Sequence, residues 1–394
     1  MNLYLPKKKN FYSNKVIKMG KLISYIIRLS SFMKVLTFIC LGCMLLAYLC
    51  PFVHPSDLWI IPFFGLAYPV ILLFTLLFLI YWIFMKSRMA ILIALVLFFG
   101  GKLHFRTVSM PFGTEEYIQN DSIPALQITS YNVRLFDLYE WSDAGKYVNR
   151  NLIFKYLQEQ NSDIICFQEF YHQDRPTKFP TRDTLKGLLQ TPYCHEKYSH
   201  KLEGRQNFGI AMLSKYPMIS RGDIVFEDPQ NVDNNYCIFA DIVKGKDTFR
   251  IYNVHLQSIK FKKDEYQVFS DSVHKIKEKK STAQLLLEKL RTAYPKRAEQ
   301  ARLVVEHMQQ SPFSIIICGD FNDTPMSYTY NIFNGLYIDA FRNSSSGLGV
   351  TYAGKVPAGR IDYIFHAKNL HSGNFEIQQN VNSDHRAITC KIWK

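Results

Sequence analysis

The sequence predicts an α/β domain preceded by N-terminal transmembrane helices, and three observations lead to that class. Residues 35–103 carry few charges, namely Asp57, Lys86, Arg88 and Lys102, in a chain of 394 residues that is 20% charged. Past residue 123, short and continuously apolar runs of strand length are interspersed with helical patterns, as expected of strands covered on both faces. Several of those runs end in carboxylates, amides or imidazoles, the groups a metal-dependent hydrolase needs at its strand ends.

The chain opens on a basic segment, residues 1–34, with Lys7, Lys8, Lys9, Lys15, Lys18, Lys21, Arg28 and Lys34 and no acid. Val35–Val53 and Trp59–Met85 follow, each long enough to cross a hydrocarbon core of about 30 Å at about 1.5 Å per residue. Pro62 and Pro69 would break a soluble helix but are tolerated in a span. The third run, Met89–Leu103, reaches only ~22 Å, so Lys86, Arg88 and Lys102 must snorkel. Residues 35–103 are thus expected to hold three spans. The apolar region repeats and is too long for a cleaved signal peptide.

The positive-inside bias sets the orientation. The basic N-terminus and the Lys86/Arg88 loop belong in the cytoplasm, while the loop Pro51–Asp57 has no Lys or Arg. Three spans then place the rest of the chain on the extracytoplasmic side of the cell membrane. A connector, residues 104–122, leads into a domain of residues 123–394.

The formal net charge of +14 loses its apparent meaning once the basic N-terminus is set aside. The excess that remains is modest and part of it is one lysine-rich stretch, Ser258–Lys280, so the chain lacks the basic face of a dedicated DNA binder. Ser258–Lys280 has no clear period and reads as an exposed excursion. The eight cysteines do not form a disulfide pattern, since Cys40, Cys43 and Cys50 fall in the first span and Cys166 and Cys318 in core strands.

In the C-terminal domain, strands are expected at Leu126–Val133, Asp163–Phe167, Gly209–Ser214, Tyr236–Val243, Phe249–Leu256, Phe313–Cys318, Ile361–His366 and Ala387–Trp393. Helical patterns are expected at Asn149–Gln160 and near Ser281–Thr292 and Lys296–Gln310.

The polar clusters at the strand ends are Tyr131-Asn132-Val133, Gln168-Glu169, Asn253-Val254-His255-Leu256, Gly319-Asp320-Phe321-Asn322-Asp323, Arg360-Ile361-Asp362-Tyr363 and Ser383-Asp384-His385. Each is weak alone. Together and in this order, over about Ile123–Lys394, they resemble the endonuclease/exonuclease/phosphatase superfamily. That resemblance implies a four-layer sandwich of two mixed β-sheets flanked by helices.

It also implies roles. Glu169 is the expected main ligand of Mg²⁺, with Mn²⁺ as an alternative, and a carboxylate is the hard donor such an ion takes. Asn132 and Asp384 lie on the metal side. Asp320 orients or deprotonates the attacking water, and Asn322, two residues on, holds a phosphate oxygen. His385 pairs with Asp362 as a dyad, the carboxylate fixing the imidazole tautomer, and His255 contacts phosphate or serves the leaving group. One departure is Arg134, where several nucleases of the superfamily carry an acid, which favours one metal.

The expected function is a membrane-anchored, Mg²⁺-dependent phosphoester hydrolase that attacks phosphorus directly with water, on a lipid-linked or other extracytoplasmic phosphate ester. An exported nuclease is the first rival; a groove lined by Lys and Arg would favour it, and the small surplus charge does not. A catalytically inactive membrane-tethered binding module is the second; loss of a metal or dyad residue would have favoured it, and all are present.

Overall fold

Twelve strands pair into two six-stranded sheets in the computed structural model, which describes residues 10–110, 125–140, 145, 147–226, 235–259, 276–354 and 359–394. The first sheet runs β11 (His371–Ile377), β12 (Ile388–Trp393), β1 (Leu126–Asn132), β2 (Ile164–Gln173), β4 (Gln206–Ser214), β3 (Tyr193–Leu202). The second runs β5 (Met218–Ile224), β6 (Tyr236–Lys244), β7 (Asp247–His255), β8 (Ser314–Asp320), β10 (Asp362–His366), β9 (Ile338–Asp339). Only β1/β2 and β7/β8 are parallel; the other pairs are antiparallel.

Alternation along each strand explains the layers. Ile128, Ile164, Cys166 and Met212 of one sheet meet Ile238, Ala240, Ile251, Ile316 and Cys318 of the other in a sealed inner core. The intervening residues face outward. Ile165, Phe167 and Leu213 lie under Ile153 and Leu157 of a helix at Val148–Gln160 and Leu185 of another at Thr181–Leu188. Tyr252, Val254 and Ile317 lie under Ala301, Val304 and Met308 of the long helix Ile276–Gln309. Each buried Val, Leu, Ile, Phe or Met among them contributes about 1.5–3 kcal/mol. The expected four-layer sandwich is the observed one.

Four strands were not anticipated: β3, β5, β9 and β11. All but β9 are long, but each lies at or next to a sheet edge and carries exposed or charged positions, as in the Met-Ile-Ser-Arg-Gly-Asp-Ile of β5. A strand half in water lacks the apolar run that marks a central one. The two helices expected on either side of Pro295 are one helix with Pro295 inside it. It starts at Ile276, so the end of the expected lysine-rich excursion is helical; residues 260–275 of that excursion lie outside the described residues.

At the N-terminus a 40-residue helix, Asn10–Leu49, leads into helices Ile61–Leu66, Tyr68–Phe84, Met89–Phe99 and Gly101–Thr107. The expected second span is broken near Ala67, where Pro69 opens the next helix. Among the described residues one helix is long and apolar enough to cross a membrane, Ser30–Leu49, or two if the pair Met89–Phe99 and Gly101–Thr107, bent by 68°, counts as one span. Tyr68–Phe84 is apolar but has 17 residues. The basic residues Lys7, Lys8 and Lys9, and residues 111–122 of the connector, lie outside the described residues.

Part of the expected connector is built into the fold. Thr107 and Ser109 are buried, and Ser109 forms a β-bridge with Gly347.

Candidate active site

Strand register assembles the site. Asn132 ends β1 opposite Gln168 of β2. On the other sheet, Asp320 at the end of β8 is flanked by His255 of β7 on one side and Asp362 of β10 on the other. The close β7/β8 pairing requires glycine at 319: its φ is +147° and a Cβ there would stand 1.9 Å from the Val254 carbonyl oxygen.

Asp320 is the hub. Its Oδ2 accepts a hydrogen bond from Asn132 Nδ2 at 3.0 Å, and Nε2 of both His255 and His385 stand 3.6 Å away. Its Oδ1 accepts from the backbone N–H of Asn322 at 2.8 Å, which closes the turn that puts Asn322 at φ 54°. Burial raises the Asp320 carboxyl above the usual carboxylate range, opposed by the His385 imidazole and reinforced by Asp362.

His385 Nδ1 lies 3.1 and 3.0 Å from the two oxygens of Asp362. Burial disfavours a charged imidazole, yet Asp362 and Asp320 outweigh it and hold His385 well above the ordinary histidine range. Asp362 is itself seated by its backbone N–H donating to Thr351 Oγ1 at 3.1 Å.

Glu169 sits at φ 48° where the β2/β4 register slips between Phe167 and Phe170. That bulge turns its carboxylate toward the other acids. Burial, then the Asp384 carboxylate, pushes its pKa up to about 7, with His385 and a hydrogen bond to Asn132 pulling the other way. Asp384 pairs with Arg134, Nε to Oδ2 at 3.3 Å, and not with the adjacent Arg386, whose Nη1 donates to the Gln378 carbonyl.

Arg134 begins a turn in which four successive non-glycine residues, Arg134 to Asp137, have φ between 44° and 57°. Left-handed backbone costs about 1–2 kcal/mol per such residue, and the Asn132 Oδ1, accepting the Arg134 N–H at 3.2 Å, helps to hold it.

All eight expected site residues therefore converge: Asn132, Glu169, His255, Asp320, Asn322, Asp362, Asp384 and His385. Sequence reasoning missed the parts that fix them. Gln168 Nε2 donates to Asn253 Oδ1 at 2.6 Å, and Asn253 Nδ2 donates to the Phe167 and Ala211 carbonyls, so a buried amide pair ties the sheets together under the site. The two residues were visible in the motifs, but nothing in the sequence pairs them. Arg297, buried in the long helix, donates from Nε to the Gln257 carbonyl at 2.6 Å and lies 4.0 Å from Asp323; an arginine in an ordinary helical pattern gave no signal.

The donors suit a hard divalent cation, being carboxylates and an amide with no thiolate among them. Asp320, Asp362 and His385 offer ligand atoms within 4.8 Å of one another. Glu169, Asn132 and Asp384 lie beside this group and offer further oxygen donors, while both Asp362 oxygens face His385.

Fold and site together define a metal-dependent phosphoesterase. The chain belongs to the Endonuclease/Exonuclease/phosphatase family, whose model matches residues 129–385. A second model, described as a domain of unknown function (DUF8431), matches residues 30–107. Among curated proteins, a phospholipase C of Staphylococcus aureus is 22% identical over 144 residues, 34% of this chain. The match spans 44% of that relative's length. Similar solved structures include a family protein from Leptotrichia buccalis C-1013-b (18% identity, TM-score 0.48, 68% of this chain and 99% of that one). A Bacteroides thetaiotaomicron VPI-5482 mannosyl-6-phosphatase is likewise 18% identical with a TM-score of 0.46, covering 68% of this chain and 99% of that one.

Proposed function

We propose that the protein is a membrane-anchored, Mg²⁺-dependent hydrolase of lipid-linked phosphate esters. The observation that carries the chemistry is the convergence on Asp320 of Asn132, His255 and the Asp362–His385 pair. Bound at Glu169, Asn132 and Asp384, a divalent ion would supply charge neutralisation at the phosphate oxygens. Asp320 orients the attacking water and takes its proton. His385, charged between two carboxylates, acts as a donor to the developing phosphorane, not as a base. Asn322 spends one amide N–H on the Leu256 carbonyl at 3.0 Å, which leaves its second for a phosphate oxygen. His255 stands beside Asp320 to serve the leaving group.

The substrate class is supported by what adjoins the site. Helix Ile61–Leu66 packs beside the loop that follows Asn322, with Gly65 close enough that a Cβ would stand 3.3 Å from the Met326 carbonyl. Phe52, Leu58, Trp59 and Ile60, in the segment leading into that helix, are exposed, apolar side chains suited to a bilayer surface. In this reading Tyr68–Phe84 and the bent pair cross with Ser30–Leu49, and the catalytic domain lies outside the cytoplasm.

Two assays test it. Detergent-solubilised protein with Mg²⁺ is offered lipid phosphates, soluble phosphodiesters and DNA; turnover of the lipid phosphates supports the reading, and turnover of DNA alone overturns it. Protease added to intact spheroplasts should digest the catalytic domain, and full protection until lysis would refute the outside placement.

A further inference from the structure

We infer that residues 30–109 are more than an anchor: they clamp the catalytic loops, so that the site is competent only while this segment is docked. Residues 30–107 of this segment match a domain of unknown function, and two separate contacts seat it on the catalytic domain.

The first contact lies behind Asp320 and His255. Phe63 sets its ring edge-on to Tyr294 at 5.8 Å. Tyr294 stacks under the Arg297 guanidinium at 5.2 Å. Arg297 in turn joins two catalytic loops, through the Gln257 carbonyl, two residues past His255, and Asp323, three residues past Asp320. Beside it, His54 packs edge-on to Tyr328 at 5.1 Å and reaches Glu299 at 3.5 Å.

The second contact lies behind Asp362. The Arg106 carbonyl accepts from Arg360 Nη2 at 2.8 Å, and Arg360 is locked to Asp339 at 2.6 Å in a buried ion pair. Arg360 is two residues before Asp362. The Phe105 carbonyl accepts from Arg342 at 3.0 Å, and Ser109 and Gly347 exchange two backbone hydrogen bonds at 2.9 and 2.8 Å.

Both carboxylate-bearing segments are therefore seated against the helical region. A buried guanidinium has few alternative positions, because any shift leaves its charge uncompensated. Reacting groups misplaced by about 1 Å can lose about 10²-fold in rate. Loosening Phe63 or Ser109 should consequently reach Asp320 and Asp362 without touching them.

The test uses full-length protein in detergent, as wild type, Phe63→Ala, Phe63→Leu, Ser109→Pro and the remote control Phe84→Ala. Hydrogen exchange is read at 253–258, 319–326 and 360–364. We expect exchange at 253–258 and 319–326 to quicken by about tenfold in Phe63→Ala and less in Phe63→Leu, with 360–364 responding in Ser109→Pro and nothing in Phe84→Ala. On a soluble phosphodiester, kcat should fall about tenfold in Phe63→Ala with KM within about twofold. Unchanged exchange in the catalytic loops while 61–66 exchanges faster would overturn the clamp. Exchange does not depend on substrate, so it decides the question even if the wild type hydrolyses no phosphate ester. Should Ser109→Pro fail to fold, the graded Phe63 pair still decides it.

Discussion

Both Asp362 oxygens face a single imidazole nitrogen of His385, so the two residues are expected to act as one unit. Replacing either by Ala should lower kcat by about 10²–10⁴-fold, and the double variant should be little worse than the poorer single one. Steady-state kinetics that gave multiplicative losses would mean they act separately. Glu169 makes a second prediction. Its carboxyl, raised to about 7 by burial and Asp384, is mostly protonated below that pH, so metal binding there displaces a proton. Apparent Mg²⁺ or Mn²⁺ affinity should fall about tenfold per pH unit below 7 and level off above it. Calorimetry showing the same affinity at pH 6 and pH 8 would place the ion elsewhere. Residue identities were legible in the sequence because each sits at the polar tip of an apolar run. Their supports were not: Arg297 and Thr351 carry no local pattern, and Gln168, visible in its motif, meets Asn253 only across the fold.

The elements that make the site are the parallel pairs β1/β2 and β7/β8, whose ends face one another across the sandwich. The Gln168–Asn253 amide pair, like Asn132–Asp320, is a buried polar tie between them. Asn253→Ala removes three hydrogen bonds, and although Gln168 Nε2 keeps Ser130 and the Cys166 carbonyl, stability should fall by about 1–3 kcal/mol. Urea unfolding of the folded catalytic region reads this, and a loss below about 0.5 kcal/mol would deny the tie its role. Central strands were legible because both faces are buried. Edge strands β3 and β5 were not, because charge and exposure erase the apolar run. The two expected helices run on as one through Pro295: Tyr294, Ala298 and Ala301 are buried on either side of it, and tertiary packing carries the helix through.

On the scale of the whole molecule, a family phosphoesterase domain is seated on an apolar helical segment through the loops that carry its catalytic acids. The change from an apolar, charge-poor N-terminal stretch to an α/β domain was legible from charge alone. That the two are packed together was not, because the contacts run through single residues such as Phe63, Gly65 and Arg106, whose partners lie more than two hundred positions away. A tethered enzyme gains most from substrates confined to the same layer, through effective concentration. The most direct test is phosphate release from a lipid phosphate in vesicles into which the full-length protein has been reconstituted, measured with Mg²⁺, with chelator, and for Glu169→Gln. The account predicts turnover with Mg²⁺, its loss on chelation, and at least about 10²-fold less with Glu169→Gln. Turnover that persists in chelator, or a Glu169→Gln enzyme within a few-fold of wild type, would contradict it.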